Sequence, residues 1–372
     1  MATMEERLSG LAGLFQERGY ARISPPILQP ADVFLDLTGE DIRRRLYLSA
    51  DQDGRDLCLR PDFTIPVCRQ HLEDGKAARL ANYSYGGPVF RQRPGETGEF
   101  LQAGAESIGR TDCEQADADI LALALDALSK LGAKNVEVRI GDEALFTAVI
   151  DGLSIPAVWK RRLKDLFGER AQLDQAIARM GGNVDGNGDA VKAERIGFLA
   201  ALEGSDPEAA QAIVEDLLSI AGIETVGGRT AGEIAERFLE QAALSSSAGV
   251  ADEAASLLTR FLDISGKPVE ALARLEVFAS ETSIDLAEPI AHFRARLAAI
   301  EANGTDLDTI RFAADFGRRL DYYTGFVFEV HDAKRRQAGQ IVGGGRYDRL
   351  LQLLGASAPV PAVGFSIWLD RI

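Results

Sequence analysis

Cysteine and histidine are both scarce in this chain. The three cysteines, none of which belongs to a C-x-x-C pair, are Cys58, Cys68 and Cys113. A disulfide framework or a zinc site needs cysteines at characteristic spacings, so neither is indicated and a reducing compartment fits best. The three histidines, which also show no paired spacing, are His71, His292 and His331. We expect each histidine to be hydrogen-bonded or solvent-facing, and we expect no metal or other cofactor.

Positive charge and long apolar runs are also in short supply. The chain has 41 Lys and Arg against 57 Asp and Glu, a formal net charge of −16, which argues against a polyanionic partner. No stretch is long and apolar enough to span a bilayer. The acidic start, M-A-T-M-E-E-R-L, lacks the apolar run of a signal peptide. We therefore expect a cytoplasmic protein with no membrane contact, and its 372 residues suggest about two or three domains.

The most unusual stretch present is 317–330, which reads G-R-R-L-D-Y-Y-T-G-F-V-F-E-V. Its first half holds two Arg, an Asp and two Tyr. Its second half has the aromatic and β-branched bias of a buried strand. A polar cluster at the mouth of a sheet can bind a small charged ligand, and the alternative is a salt-bridged strand end without a ligand.

Short strands and amphipathic helices are predicted in both end regions of the chain. The predicted helices are 4–18, 64–72 and 115–131. The predicted strands are 56–60, 83–91, 100–108, 136–140, 309–316, 326–331, 340–342 and a last one that begins near 362. The Pro-rich piece 22–31 cannot be a regular helix. Strands joined as hairpins and accompanied by helices indicate an α+β fold.

The middle of the chain, residues 143–303, is rich in Ala, Leu, Glu and Arg with repeated helical spacing. We predict a mainly helical insertion between the two halves of one core, 1–142 and 304–372. Its best helical segments are 159–166, 207–218, 234–244, 251–262 and 290–300. The acidic piece 185–189 lacks the glycine and the closing Glu of a calcium loop, so we reject a calcium site there.

The hairpin at 83–108 has a distinctive return strand. Period two places Gln102, Gly104 and Glu106 on one face, with the two polar residues roughly 13 Å apart. Gly104 would leave a floor without a side chain, and the gap would suit an amino acid lying on the sheet. The alternative is a glycine that only marks a β-bulge.

Six segments together resemble the catalytic core of class II aminoacyl-tRNA synthetases, and specifically the histidyl-tRNA synthetase family. In chain order they are L-R-P-D-F-T (59–64), P-V-F-R (88–91), L-Q-A-G-A-E (101–106), R-R-L-D-Y-Y-T-G-F-V-F-E (318–329), G-G-G-R-Y-D (343–348) and A-V-G-F to L-D-R (362–371). The resemblance covers all of the chain except the helical middle. It implies an antiparallel sheet flanked by helices and a pocket for histidine.

The resemblance also implies roles for individual residues. Glu106 and Tyr323 would hold the imidazole, and Tyr322 would belong to the same pocket. The residues around the α-amino group would be Asp62, Thr64 and Tyr347. The residues facing the carboxylate would be Arg91, Gln102 and Arg318. These roles agree with elementary chemistry, because carboxylates bind amines and the arginine fork binds carboxylates.

Departures from the synthetase pattern affect its nucleotide and tRNA sites. The motif F-R-x-E-R-P is F-R-Q-R-P here, and Gly98 stands where the family has a second triphosphate-binding Arg. Glu96 and Glu99 in the same loop would repel a triphosphate, although Arg91, Arg318 and Arg371 remain. Because the sequence stops just after Arg371, we also expect no anticodon-reading domain and no tRNA partner.

A histidine pocket with these departures resembles the regulatory subunits of ATP phosphoribosyltransferase, which are related to the synthetases. That resemblance implies a non-catalytic chain that binds histidine and partners the short-form catalytic subunit in histidine biosynthesis. It also implies a homodimer, formed through the segment near Pro25 and Pro26, within a larger hetero-oligomer. The alternatives are an enzyme that forms histidyl-adenylate and a scaffold whose pocket is vestigial.

Overall fold

The computed structural model describes residues 3–37, 40–77, 79–95, 97–181, 225–226, 229–230, 252–318, 322–335 and 339–372. The chain divides into two compact units, of which unit 1 consists of Met1–Val149, Phe167–Glu169 and Phe261–Ile372, and unit 2 of Ile150–Leu166 and Arg170–Arg260. Residues 261–303 of the predicted insertion therefore group with unit 1. The functional division of the chain at 143 and 303 stays a prediction. The helices predicted at 207–218 and 234–244 and the rejected loop at 185–189 lie outside the described residues.

The described residues form strands and helices in both units. The strands are β1 Ala21–Arg22, β2 Leu28–Pro30, β3 Leu48–Ala50, β4 Asp56–Leu59, β5 Ala81–Phe90, β6 Glu99–Ile108, β7 Val136–Asp142, β8 Thr225–Val226, β9 Arg229–Thr230, β10 Ser265–Gly266, β11 Ile310–Ala313, β12 Phe326–Asp332, β13 Val342–Arg346 and β14 Ala362–Trp368. The α-helices are α1 Met4–Glu17, α2 Ala31–Leu37, α3 Glu40–Arg43, α4 Thr64–Glu73, α5 Cys113–Lys130, α6 Glu143–Gly152, α7 Ala157–Lys164, α8 Arg170–Met180, α9 Asp252–Leu262, α10 Pro268–Glu281, α11 Ala287–Ala302 and α12 Leu350–Leu353. No helix in these ranges is long and apolar enough to cross a membrane.

A nine-stranded sheet, in the order β1-β5-β6-β14-β13-β12-β7-β11-β10, forms the centre of unit 1. Its neighbouring strands are antiparallel except for the pairs β1·β5 and β7·β11, which are parallel. The apolar residues of β12 are fully buried, as its aromatic and β-branched sequence predicts. A small separate sheet has the order β2-β4-β3. The predicted α+β class with a mainly antiparallel sheet and flanking helices is confirmed.

Both predicted hairpins are confirmed, with one change of boundary. β5 pairs with β6 and β12 pairs with β13 in antiparallel register. The second return strand is Val342–Arg346 rather than 340–342, so the glycine run lies inside the strand. Glycine is ordinarily unfavourable in strands, but side chains crossing β13 require it here. A Cβ at Gly344 would come within 2.6 Å of the Phe328 ring, and one at Gly345 within 2.8 Å of the Tyr323 ring.

The helical periodicity predicted some elements and missed others. The helices predicted at 4–18, 64–72, 115–131, 159–166, 251–262 and 290–300 correspond to α1, α4, α5, α7, α9 and α11. Helices α6, α8 and α10 were not predicted. The strand predicted at 309–316 ends at Ala313, although Phe316 beyond it is still buried.

A buried network of charges joins α5, α11 and the end of β13, and we call it the Arg296 network. Arg296 on α11 donates from Nε to Asp117 at 2.8 Å and from Nη1 to Asp142 at 2.5 Å. Arg346 donates to the second oxygen of Asp117 and, at 2.9 Å, to Asp348. Burial alone would lower the pKa of Arg296, but Asp142 and Asp117 raise it above its ordinary value. The network therefore keeps its charges and pairs them within the interior.

Candidate functional site

A cavity of about 480 Å³ lies in unit 1 beside the middle strands of the large sheet. Eight of the nine residues predicted to bind histidine line it, namely Asp62, Thr64, Arg91, Gln102, Arg318, Tyr322, Tyr323 and Tyr347. They come from distant parts of the sequence, because the start of α4, the end of β5, the middle of β6 and the segments around β12 and β13 meet here. A polar cluster at the mouth of a sheet is therefore present as predicted. Arg319 and Asp321 of the same motif lie outside the described residues.

Glu106, the ninth residue, is fully buried beneath the cavity rather than in its lining. Thr64 donates to its Oε1 at 2.8 Å, Tyr85 donates to the same oxygen at 3.1 Å, and Tyr347 donates to Oε2. Burial raises the pKa of Glu106 to about 7, and the three hydroxyl donors act in the opposite direction. Gly364, its cross-strand partner on β14, makes room for the carboxylate, since a Cβ there would overlap it. Glu106 therefore affects the cavity through Thr64 and Tyr347, two lining residues that donate hydrogen bonds to it.

Gly104 does not form the open floor that the sequence predicts. The ring of Tyr85, its cross-strand partner on β5, fills the space, and a Cβ on Gly104 would lie 2.6 Å from the Tyr85 hydroxyl oxygen. The alternative prediction of a bulge is also wrong, because β5 and β6 pair residue for residue through this point. The Tyr85 ring stacks on Phe63 with centroids 4.4 Å apart. Glycine is needed here to admit a tyrosine from the same protein.

Several buried polar atoms in the cavity wall have no hydrogen-bond partner within the described part of the chain. They are Oδ2 of Asp62, both amide atoms of Gln102 and Nε of Arg318. Each such atom costs about 1–3 kcal/mol when buried without a partner. Burial raises the pKa of Asp62, while Arg91 acts to lower it. The carboxyl oxygen of Asp62, the amide of Gln102 and Nε of Arg318 are therefore free to hydrogen-bond a ligand that enters the cavity.

The cavity is rich in arginine, which the sequence prediction of a weakened positive charge did not anticipate. Its lining holds two carboxylates, Asp62 and Glu329, and six guanidinium groups, from Arg45, Arg91, Arg93, Arg139, Arg318 and Arg371. Glu99 is exposed and does not line the cavity, and Glu96 lies outside the described residues. The expected repulsion by Glu99 is therefore not supported. Above Gly98, the space for a side chain is occupied by the Tyr47 ring.

Two of the predicted arginines are anchored through backbone carbonyls. Arg91 donates from Nε to Pro61 O at 2.8 Å, and Arg371 donates from Nη1 to Gln340 O at 2.7 Å. Arg371 also lies 5.3 Å from the ring centroid of Trp368. These contacts fix the guanidinium groups in the wall, so that little rotamer freedom is left to lose when an anion binds.

Sequence reasoning missed some residues of the site. Tyr85 carried no visible signal, because tyrosine is common in strands. Glu329 did carry one, since a single acid within the apolar run F-V-F-E-V needs a buried partner. The structure supplies that partner as Arg318, with Nη1 and Oε1 3.1 Å apart.

The described residues contain no group of three or more His, Cys, Asp or Glu side chains arranged to hold a metal ion. Two histidines pair with carboxylates, His292 with Glu114 and His331 with Glu329. His71 is buried and is hydrogen-bonded through Nδ1, which lies 3.1 Å from the Tyr83 hydroxyl, while its Nε2 has no partner within the described residues. The three cysteines are free thiols.

Comparison with known proteins places this architecture in a family. A family model described as histidyl-tRNA synthetase matches residues 1–231 and 209–372. An ATP phosphoribosyltransferase regulatory subunit from a Chelativorans species is 45% identical over 360 residues, which span 96% of this chain and 94% of that protein. The regulatory subunit of the same name from Brucella canis is 42% identical over 348 residues, or 93% and 91% of the two chains.

Solved structures give the same fold at low sequence identity. A Bacillus halodurans protein described as an ATP phosphoribosyltransferase regulatory subunit/histidyl-tRNA synthetase superposes with a TM-score of 0.63 at 21% identity, covering 98% of this chain and 77% of that one. A histidyl-tRNA synthetase from a Nostoc species gives a TM-score of 0.62 at 18% identity, covering 98% and 69%. The chain therefore belongs to the family of ATP phosphoribosyltransferase regulatory subunits, which shares the fold of the histidyl-tRNA synthetases.

Proposed function

We propose that this chain is a cytoplasmic, non-catalytic subunit that binds histidine in the cavity and conveys feedback inhibition to a catalytic ATP phosphoribosyltransferase chain. The phosphoribosyl chemistry would belong to the short-form partner, and this chain would supply assembly and control in the first step of histidine biosynthesis. The names of the relatives support the partner. The observation that carries the ligand is the set of buried, unpaired atoms of Asp62, Gln102 and Arg318 in the cavity wall.

The chemistry of those atoms matches a free amino acid. Asp62 offers a carboxyl oxygen to an α-ammonium group, and Arg91 and Arg318 offer guanidinium groups to an α-carboxylate. Tyr323 and Glu106 would hold the imidazole, and Tyr347, which donates to Glu106, would lie with Thr64 near the α-ammonium group. A volume of about 480 Å³ is within the usual range for small-molecule sites of about 300–1,000 Å³. Histidine therefore offers complementary groups to the unpaired atoms of Asp62, Gln102 and Arg318.

Feedback would require two states of the assembly that bind histidine with different affinity. A difference of about 1–3 kcal/mol, typical of allosteric coupling, would shift the equilibrium between the two states about 5- to 150-fold at saturation. The segment near Pro25 and Pro26 supports a homodimer within that assembly, because Ile27, just before the small sheet, and Leu28 and Leu48 within it are 40%, 53% and 62% exposed. Leu48→Lys should yield monomers in sedimentation velocity, whereas Leu80→Lys, at a 63% exposed site elsewhere, should leave the dimer intact.

A reconstituted complex of this chain with its catalytic partner tests the proposal. Histidine should inhibit that complex, and calorimetry should detect histidine binding to this chain alone. Glu106→Ala should abolish histidine binding and feedback while the two chains still co-purify. Glu99→Ala, at an exposed position on the same strand, is the matched control and should change neither. Full inhibition in the Glu106→Ala complex, or loss of assembly with binding retained, would contradict the proposal.

The six arginines of the cavity favour one second candidate, an enzyme that forms histidyl-adenylate. Guanidinium groups in this number can neutralise a triphosphate. Exchange of labelled pyrophosphate into ATP, dependent on histidine, separates the two functions. Robust exchange would replace the regulatory proposal with the enzymatic one, and the absence of exchange in a chain that binds histidine would support regulation.

A further inference from the structure

Arg318 is held across the glycine of a neighbouring strand. Its side chain is 8% exposed, and its Nη1 lies 3.1 Å from Oε1 of Glu329 and 3.5 Å from Phe328 O. A Cβ at Gly343 would overlap the guanidinium group. Glu329 and Gly343 are cross-strand partners in the register of β12 and β13. The strand pairing therefore places Glu329, which pairs with Arg318, beside the glycine that admits the Arg318 side chain. Tyr323 is also hydrogen-bonded to Arg318.

The contact with Glu329 does not involve Nε of the Arg318 guanidinium group. Glu329 occupies Nη1, whereas Nε of Arg318 is buried and has no partner in the part of the chain that the structure describes. The other oxygen of Glu329 pairs with Nε2 of His331 at 3.2 Å, so the carboxylate cannot rotate without breaking a second contact. Arg139, the β7 partner of Glu329, also lines the cavity and pairs with Asp315 at 3.3 Å. Arg318 is thus held in the cavity wall by Glu329 and Tyr323.

We propose that Glu329 and Gly343 are positioning residues that aim Arg318 at the ligand's α-carboxylate and so make the cavity prefer an intact amino acid over its decarboxylated or alcohol analogue. The inference rests on the proposed histidine function and adds the residues that set the selectivity. Both residues line the cavity, and their proposed role acts through Arg318 and needs no direct contact with the ligand. Their contribution is the orientation of one guanidinium group, which converts a mobile charge into a directed, charge-assisted contact.

Calorimetry with histidine and with histidinol, which carries a hydroxymethyl group in place of the carboxylate, tests the proposal. Wild-type protein should bind histidine more tightly. In Glu329→Gln, which keeps the shape but loses the charge, histidine affinity should fall about 10- to 100-fold and histidinol affinity less than threefold, in line with a charged hydrogen bond of about 1.5–3 kcal/mol. Gly343→Ala should give the same selective loss by displacing Arg318. Glu301→Gln, at an exposed position on α11, is the charge-matched control.

The outcomes separate this inference from the function on which it rests. Equal losses for histidine and histidinol in Glu329→Gln would show a merely structural role and overturn the inference alone. An unchanged preference would do the same. Wild-type protein that binds neither ligand would overturn the proposed function and the inference together. Circular dichroism of both variants shows whether they fold. If Gly343→Ala does not fold, the binding data for Glu329→Gln alone test the proposal.

Discussion

Two buried polar clusters in unit 1 differ in whether their polar atoms have hydrogen-bond partners. In the Arg296 network, Asp117 accepts hydrogen bonds on both oxygens and Arg296 donates to two acids. In the cavity wall, one oxygen of Asp62, both amide atoms of Gln102 and one nitrogen of Arg318 are buried without partners among the described residues. Both clusters bury charged or polar groups, and only the Arg296 network pairs them. The difference separates groups paired within the fold from groups that, under the proposed function, would pair with a ligand.

The comparison also shows how each cluster affects the stability of the folded protein. A satisfied network contributes little net stability but is expensive to break, because removing one partner strands the other. An unsatisfied wall destabilises the empty protein and gains its partners when the ligand arrives. Substitutions in the first cluster should therefore change folding, and substitutions in the second should change binding while folding improves or stays constant.

The largest effect is expected from Arg296→Met, which leaves Asp117 and Asp142 in the interior without their shared cation. The free energy of unfolding of unit 1 should fall by about 3–5 kcal/mol. Urea unfolding followed by Trp368 fluorescence in a Trp159→Phe background checks this, since the chain has 2 Trp and only Trp368 lies in unit 1.

The matched control for Arg296→Met is Arg294→Met on the same helix. Arg294 is 56% exposed at its side chain and pairs with Glu276 on the surface. Its loss should cost less than about 1 kcal/mol. Equal effects of the two substitutions would show that the Arg296 network is no more important to folding than a surface pair, and the comparison of the two clusters would fail.

A second effect concerns Glu106, which resembles neither cluster. Its carboxylate oxygens accept hydrogen bonds, as in the Arg296 network, and yet its pKa is raised. Its pKa rises from 4.5 to about 7 on folding, mainly through burial. The protonated form is therefore favoured in the folded state. The stability that Glu106 contributes is fully present below pH about 4.5 and is lost as the pH rises through about 7.

Unfolding experiments on wild type and Glu106→Gln across this range isolate that contribution. The free energy difference between the two proteins should change by on the order of 3 kcal/mol in favour of the variant between the acidic and the alkaline limit. All other titrating groups cancel in the difference. A difference that does not change with pH would show that Glu106 stays ionised and that its three hydroxyl donors outweigh burial.

The sequence predicted the local parts of the fold well, because turns, periodicity and β-branched runs are local signals. Both hairpins and the helix that begins at Thr64 were predicted near their observed limits. The order of strands in the large sheet was not predicted, since β14 lies between β6 and β13 although it is last in the chain. Pairing of this kind depends on packing of distant segments, which no local pattern records.

The site was predicted through motifs, and its geometry was not. Eight of the nine residues that the motifs suggested line one cavity, and their role in binding stays a prediction. It gave no indication that Tyr85 fills the space over Gly104 or that Gly343 admits Arg318. In both positions, a glycine that resembles a ligand floor or a loop makes room for a side chain of the protein itself. Sequence reasoning recognises the glycine, and only the strand register shows which residue uses the space.

The smallest effect, and the sharpest comparison, comes from two buried glutamines. Gln102 is 1% exposed and both of its amide atoms lack partners, whereas Gln29 is 4% exposed and both of its amide atoms are paired. In Gln29 these contacts are Nε2 to Pro26 O at 2.8 Å and Oε1 to Arg69 at 2.7 Å.

Methionine has a similar length to glutamine and no strong polar group. Gln102→Met should therefore stabilise the empty protein by about 1–2 kcal/mol and weaken histidine binding, whereas Gln29→Met should destabilise it by a similar amount and leave binding unchanged. Thermal unfolding with and without histidine measures both signs in one experiment. If both substitutions destabilise the empty protein, the cavity wall is a structural network like the first cluster and is not reserved for a ligand.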